Sequence, residues 1–379
     1  MIYVTVRQRI AEHQLTWEDL MFDPDPEIKD FSQSGSAGTV TRTMSCATRE
    51  ILQKINVPKM IKRLEAFNEK YQDLIDADKT KLYRHFTIPK RTGGLRPIDA
   101  PCDKLQKALK ELAGILSDEF GLLYHTSAFA YVKGRSITQA LYKHKANESN
   151  WFLKTDFSGF FPSTTLDFAM SMCAMVFPLS EICLDTKGKE ALRKALSLGF
   201  LNEGLVQGSA LSPMLTNIIM IPIDHWLFNS LAHRRFVYTR YADDIHISCI
   251  QKFDPNKIVK EINDTLKQFG APYEIKQEKT HFGSRKGHNF MLGLVLNAEN
   301  NISIGHQKKK YWKAMTTNLI MDYKHGKPWP IDDVQHYVGL TSYYKMVEPD
   351  YFNGLEKHFN EKFHVNLKVI KERLLAGEG

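Results

Sequence analysis

Cysteine is scarce in this chain and badly spaced for metal. Cys46, Cys102, Cys173, Cys183 and Cys249 are scattered over 379 residues with no Cys-x-x-Cys pair and no Cys/His ligand spacing. That excludes a zinc-finger reading and predicts buried or free thiols in a reducing compartment. Long apolar runs are missing too, and none approaches the roughly 20 residues of a membrane span. Arg7, Arg9 and Glu12 interrupt the stretch where a secretory leader needs unbroken apolar residues. A cytoplasmic protein with no membrane partner is expected. Internal repeats and low-complexity tracts are likewise absent. What the chain has is positive charge: 51 Lys and Arg against 43 Asp and Glu, a formal net charge of +8. That balance suits a polyanionic partner, drawn by attraction to phosphate, and charge alone equally suits a merely soluble basic protein. The length also allows a substantial core and several subdomains.

One acidic tetrapeptide stands out. Tyr241-Ala242-Asp243-Asp244 lies between two apolar-rich runs, Phe236-Val-Tyr-Thr and Ile245-His-Ile-Ser-Cys-Ile. The pattern predicts a β-hairpin with two carboxylates at its tip. Adjacent aspartates repel each other. A divalent cation turns that repulsion to use, because hard Mg²⁺ takes carboxylate oxygens and substrate phosphates together. Such a centre calls for a third carboxylate, and Asp156 is the candidate. It follows the apolar run Trp151-Phe152-Leu153, which reads as a buried strand ending in a turn. Read alone, Asp156 also fits a turn or helix cap, and the Asp pair a plain turn former.

Helical signals surround these segments. Residues 3–20 suit one amphipathic helix or two short pieces, and Pro24, Pro26, Ser32, Ser34, Gly35, Ser36 and Gly38 mark an irregular connection after them. Asn56 before Pro58 marks a helix start, continued by Met60, Ile61, Leu64, Phe67, Tyr71, Leu74 and Ile75. Leu105, Leu109, Leu112 and Leu116 predict a helix over 103–118. Ser212-Pro213 fits a first helical turn, carried on by Met214, Leu215, Ile218 and Ile219 and kinked or ended at Pro222. Pro89, Gly93-Gly94 and Pro97 punctuate a hairpin with Lys90 and Arg96 beside its glycines. Lys308-Lys309-Lys310 with Tyr311 and Trp312 opens a helical stripe through Ala314, Met315, Leu319, Ile320 and Tyr323, ended by Gly326 and Pro328. A basic run is often only a solvated face. Beside aromatics it also suits a nucleic-acid backbone, by phosphate neutralisation and stacking, so Lys308, Lys309, Lys310 and Trp312 are expected to touch nucleic acid.

Taken in order, these segments resemble a known family. Asp156-x-x-x-Phe-Phe, Gln207-Gly-Ser-Ala-Leu-Ser-Pro213 and Tyr241-Ala-Asp-Asp resemble the three palm motifs of reverse transcriptases. Ile88 to Ile98 resembles their fingers hairpin, and Tyr131-Val-Lys-Gly-Arg-Ser136 their next block. Lys279-Thr280 resembles the lysine block after the acidic hairpin, and Leu292-Gly-Leu-Val295 the primer-grip turn. The likeness covers roughly residues 80 to 350, and motifs in family order make it specific where one four-letter motif is not. It is nearest the compact bacterial group of retron, group II intron and defence-associated enzymes. Gln139–His144 and Met291-Leu-Gly depart from elements that retron enzymes usually carry, so a stand-alone defence-associated enzyme is the expectation.

The resemblance implies an α+β, right-hand polymerase architecture. Residues 1–80 would be a helical N-terminal extension, 81–150 the fingers, 151–300 a palm with an antiparallel sheet and a helical insertion at about 165–205, and 301–379 a helical thumb. It implies an RNA-directed DNA polymerase using two Mg²⁺ ions, with Mn²⁺ as a possible substitute. The ligands would be Asp156, Asp243, the main-chain oxygen of Phe157 and, less directly, Asp244. Lys279 matches the lysine thought to protonate pyrophosphate, and Phe161 the bulky residue that excludes a ribose 2′-hydroxyl. Lys90 and Arg96 would grip the nucleotide phosphates, Gln207 and Gly208 would lie beneath the nascent base pair, and Tyr241 would position the primer terminus. The implied partners are an RNA template, expected to be a cognate noncoding RNA of anti-phage defence, with dNTPs and a DNA product. An effector protein or a second copy of the chain is a further expectation. Two other classes share these residues: a template-independent or protein-primed nucleotidyl transferase, and an RNA-binding scaffold with a vestigial site. The presence of all three aspartates argues against the scaffold.

Overall fold

The structure is a computed structural model that describes residues 56–89, 94–120, 124–287 and 291–377. The helix expected within 3–20 and the connection after it lie outside the described residues, as do Cys46 and Lys90. The chain divides into two compact units, Met1–Ser136 with Leu153–Ile247 and Phe253–His281, and Ile137–Phe152 with Ser248–Lys252 and Phe282–Gly379.

In the first unit, helix Val57–Lys70 starts where Asn56 and Pro58 predict it, the Asn56 side chain accepting from the Lys59 amide at 2.9 Å. Met60, Leu64 and Phe67 form its buried stripe, one face of a 3.6-residue period. The leucine pattern likewise becomes helix Asp103–Phe120, with Leu105, Leu109, Leu112 and Leu116 fully buried. Strands Tyr83–Pro89 and Leu95–Pro101 form the expected hairpin, antiparallel from Tyr83↔Pro101 to Pro89↔Leu95. Arg96 takes part in its ladder opposite Ile88. Helices Leu166–Cys173, Leu179–Leu184 and Thr186–Ser197 occupy the stretch expected to be helical. Helix Ser212–Ile219 gives way at Met220 to helix Ile221–Ala232, whose first turn holds Pro222. Proline is tolerated there because the first turn leaves its N–H groups unbonded anyway.

These helices accompany a sheet whose strand order runs Val237–Tyr241, Asp244–Cys249, Trp151–Ser158, Glu274–Ile275. The central strand is buried at five of its eight positions. Its buried residues run consecutively, Phe152-Leu153 and Thr155-Asp156-Phe157, where a half-exposed strand would alternate. The sheet places the end of the central strand beside the turn of the acidic hairpin, since the Phe157 amide bonds the Asp243 carbonyl at 3.2 Å.

The second unit is mainly helical. Helices His306–Lys324, Ile331–Val347, Pro349–Phe363 and Leu367–Leu375 enclose a core of Trp312, Leu319, Ile320, Tyr337, Phe352 and Ile370. The first of these ends before Gly326, as its sequence predicts, and Gly326 takes the left-handed φ of 63° that glycine adopts without strain. The four described cysteines are free. No helix among the described residues is long and apolar enough to cross a membrane.

Candidate active site

The acidic turn is built from strand Val237–Tyr241, strand Asp244–Cys249 and the two residues between them. Ala242 sits in the left-handed region with a φ of 57° and is buried, a conformation that a β-carbon penalises unless the surroundings hold it. Tyr241 and Asp243 are half-buried beside it.

Backbone bonds draw the other acid and the lysine to this turn. Asp156 follows Thr155 on the central strand, and its carbonyl accepts from the Lys276 amide at 3.0 Å. The hydroxyls of Thr155 and Thr280 meet at 2.9 Å. Lys279 therefore stands next to Asp156, and its Nζ donates to Asp156 Oδ2 at 2.6 Å. Asp156 is only 3% exposed, and its other oxygen, Oδ1, is buried without a partner. An unpaired buried carboxylate oxygen is costly and asks for a cation or donor.

Electrostatics report the same neighbourhood. Burial first, then the charges of Asp244 and Asp156, push the Asp243 carboxyl above its ordinary value. The hydrogen bond to Asp156, with the added charge of Asp156, Asp243 and Asp244, holds the Lys279 ammonium above its own. Asp244 has a different partner, with Lys154 Nζ 3.0 Å from its Oδ1. Below that pair His246 is buried, and burial, aided by the Lys154 charge, lowers its imidazole to about 3.

Among the described residues no group of three His, Cys, Asp or Glu side chains is placed to hold an ion by itself, and Asp244 is paired with Lys154. The residues still fit a hard cation. Mg²⁺ is commonly held by one or two carboxylates while substrate phosphates and water complete its shell. Asp156 Oδ1 offers an unused oxygen, and Asp243 is a carboxylate whose charge is poorly solvated.

Other expected residues fall at varied distances from this centre. Phe157 packs its ring on Phe160 at 5.6 Å and on Tyr273 at 5.2 Å. Phe160 is core, 3% exposed, and Phe161 is half-buried. Gly159 turns the chain just before them with a φ of 57°, and Phe160–Ser163 is a helical turn. Gln207 and Gly208 form a turn ahead of the helix, which begins at Ser212, and the Ser209 hydroxyl accepts from the amides of Leu211 at 3.1 Å and Ser212 at 3.3 Å. Gly208 is required by its φ of 108°, since an added β-carbon would come only to 3.8 Å from Ile98.

The basic run in the second unit divides. Trp312 does not serve as a nucleic-acid platform: it is 0% exposed, stacked on Tyr337 and edge-on to Phe352 and Phe359, with its ring N–H donating to Thr341 at 2.8 Å. On a helix packed on one side, it is the residue that points into the core. Lys308 donates to the Gly293 carbonyl, and Lys309 pairs with Glu348 at 2.5 Å and lies 4.0 Å from the Tyr351 ring centre. Lys310 is exposed.

Sequence reasoning missed Lys154, Asp224 and Arg240. Lys154 had a readable signal, because it lies two residues before Asp156 and so shares its face of the strand. Arg240 had a weaker one, a charge inside an apolar-rich strand next to the acidic turn.

The chain is similar to known proteins over much of its length. Residues 88–311 match the family model described as reverse transcriptase (RNA-dependent DNA polymerase). The retron Ec83 reverse transcriptase of Escherichia coli is 26% identical over 299 residues, spanning 76% of this chain and 91% of the relative. The retron Ec73 reverse transcriptase of the same organism is 25% identical over 298 residues, 76% of this chain and 89% of that one. Among solved structures, apo telomerase from Candida tropicalis, truncated from its C-terminal domain, aligns with a TM-score of 0.45 at 15% identity, over 63% of this chain and 58% of that one. The chain belongs to the reverse transcriptase family, and its mixture of helices and antiparallel strands is of the α+β, right-hand polymerase class expected from the sequence.

Proposed function

We propose that this reverse transcriptase copies a cognate noncoding RNA into DNA in the cytoplasm, and that the product serves anti-phage defence. Family membership and the retron relatives support RNA-templated DNA synthesis. The observation that carries the site assignment is Asp156 beside Asp243 and Lys279, with one carboxylate oxygen buried and unused.

The reaction joins a primer 3′-oxygen to the α-phosphorus of a dNTP, the hydroxyl proton passing to water, breaks the bond between the α- and β-phosphates and releases pyrophosphate. Asp156 and Asp243, with the main-chain oxygen of Phe157 and with Asp244 in support, would hold two Mg²⁺ ions, which when bound lower the pKa of the 3′-hydroxyl and neutralise charge on the triphosphate. Lys279, kept protonated by the acids around it, gives its proton to the departing pyrophosphate. Phe161, half-buried past the central strand, sets the ribose pocket for deoxynucleotides. Gln207 and Gly208 support the nascent pair, Tyr241 the primer end, and Lys90 and Arg96 the triphosphate, each on the strength of the sequence resemblance. Lys310 presents its charge to the nucleic-acid backbone.

Sequencing the RNA and DNA that co-purify with wild-type protein and with Asp243→Asn tests the proposal. DNA copied from one specific RNA is expected with the wild type, and the same RNA without DNA is expected with the variant. Equal DNA from both would remove Asp243 from catalysis, and DNA unrelated to any bound RNA would remove the templated reading.

A further inference from the structure

Arg240 lies in strand Val237–Tyr241, one residue before the acidic turn, and its side chain is 0% exposed. A guanidinium leaves water only at a high cost unless its donors are all engaged. Part of that engagement is Asp224, also 0% exposed, on helix Ile221–Ala232. Arg240 Nε donates to Asp224 Oδ1 at 2.8 Å and Nη2 to Oδ2 at 2.8 Å, while the Tyr238 hydroxyl donates to Oδ1 at 2.7 Å. If this were all, Arg240 would be half of a buried ion pair, for which apolar residues of similar shape serve stability as well.

The remaining donors go elsewhere. Nη1 donates to the carbonyl of Ala242 at 3.0 Å, inside the acidic turn and at the residue held in the left-handed region. Nη2 also donates to Asn217 Oδ1 at 3.1 Å, on helix Ser212–Ile219, and Asn217 Nδ2 in turn donates to the Ala130 carbonyl at 2.7 Å. The Arg240 backbone is pinned as well, its amide donating to the Ser127 carbonyl at 2.7 Å and its carbonyl accepting from the Phe129 amide at 2.9 Å. One planar fork thus bonds the turn that carries Asp243, the helix that follows Gln207-Gly208, and Asp224.

We propose that Arg240 is a positioning residue for polymerisation. By holding the Ala242 carbonyl it keeps that residue in its left-handed conformation, and the peptide so fixed sets the direction in which Asp243 leaves the turn. Asn217 ties this setting to helix Ser212–Ile219. Lysine cannot substitute, because its donors share one nitrogen and cannot span Asp224, Asn217 and Ala242 together. The inference rests on the assignment of Asp243 to catalysis proposed above.

Arg240→Lys, Tyr238→Phe and Asp243→Asn test it in RNA-templated single-nucleotide addition, with melting temperatures measured alongside. Tyr238→Phe removes a bond to the same carboxylate but leaves every Arg240 contact in place. Arg240→Lys should lower kcat by about 100-fold with the KM for dNTP within about threefold, as expected when a reacting group is displaced. Tyr238→Phe, at a similar loss of melting temperature, should keep kcat within about threefold of wild type. Arg240→Lys with near-wild-type kcat would overturn the proposal, and so would loss of kcat in both variants in proportion to melting temperature. Should Arg240→Lys not fold, Arg240→Gln combined with Asp224→Asn removes both buried charges at once: the same fall in kcat supports the proposal, and kcat near wild type overturns it. Asp243→Asn separates the two levels, since full activity there sinks the site itself, whereas loss there beside an active Arg240→Lys sinks only the positioning role.

Discussion

The two compact units bury different kinds of atoms. Around the acidic hairpin the first unit encloses Asp156, Asp224, Arg240 and His246, and it leaves Asp156 Oδ1 and both His246 ring nitrogens without hydrogen-bond partners. The second unit packs its helices on Trp312, Tyr337, Phe352 and Phe359, and the buried hydroxyls of Thr316 and Thr341 bond the carbonyls of Trp312 and Tyr337 at 2.8 and 2.7 Å. Apolar burial contributes stability roughly in proportion to area, whereas buried charge contributes little and needs good geometry to break even. The first unit thus retains groups that stability alone does not ask for, and those around the acidic hairpin lie at the proposed site.

The comparison breaks most visibly at Asp156. Asp156→Asn should cut kcat on the order of 10³-fold, the scale of losing a central electrostatic group. Its melting temperature should not fall, because the variant removes a poorly paired buried anion and Lys279 is exposed enough to turn to water. Polymerisation on a defined RNA, measured with a thermal melt, checks both halves; retained activity would erase the contrast between the units.

Trp312 tests the other side. Trp312→Ala should lower stability by about 3–5 kcal/mol, as for other large core truncations, read by denaturant titration, while kcat per folded molecule stays near wild type. A loss of template affinity at unchanged stability would return Trp312 to the nucleic-acid surface.

The smallest effect is a pH dependence at Asp243. Its carboxyl is held above the ordinary value, chiefly by burial and then by Asp244 and Asp156. Such a group binds its proton more tightly folded than unfolded, so the stability it contributes is full below the ordinary carboxylate value and is lost as pH rises through the raised one. Asp243→Asn escapes that loss, and should melt slightly above wild type at neutral pH with the difference closing in acid. Parallel melting curves from acid to neutral pH would show that the acidic turn places no strain on the first unit.

Local signals were legible wherever a short stretch carries its own instruction. Asn56 with Pro58 starts a helix, leucines at 105, 109, 112 and 116 make one face, and the apolar runs flanking Tyr241–Asp244 make a hairpin. Misreadings came where the same residue type serves two ends. Trp312 beside three lysines reads as a stacking platform, yet the helix turns it inward while Lys310 stays outside. At Gly208 it is the backbone angle, set by the turn, that demands glycine.

By itself the chain's order of residues determined the helices, the two hairpins and the acids at the tip of one of them, because caps, period and turn chemistry act over a few residues. Only the tertiary structure decided that Lys279 belongs to Asp156, Lys154 to Asp244, and Arg240 to Asp224 and Ala242. A charge in a strand can be assigned a face from its neighbours, but its partner depends on which strand lies alongside and in what register, and that is set by long-range packing.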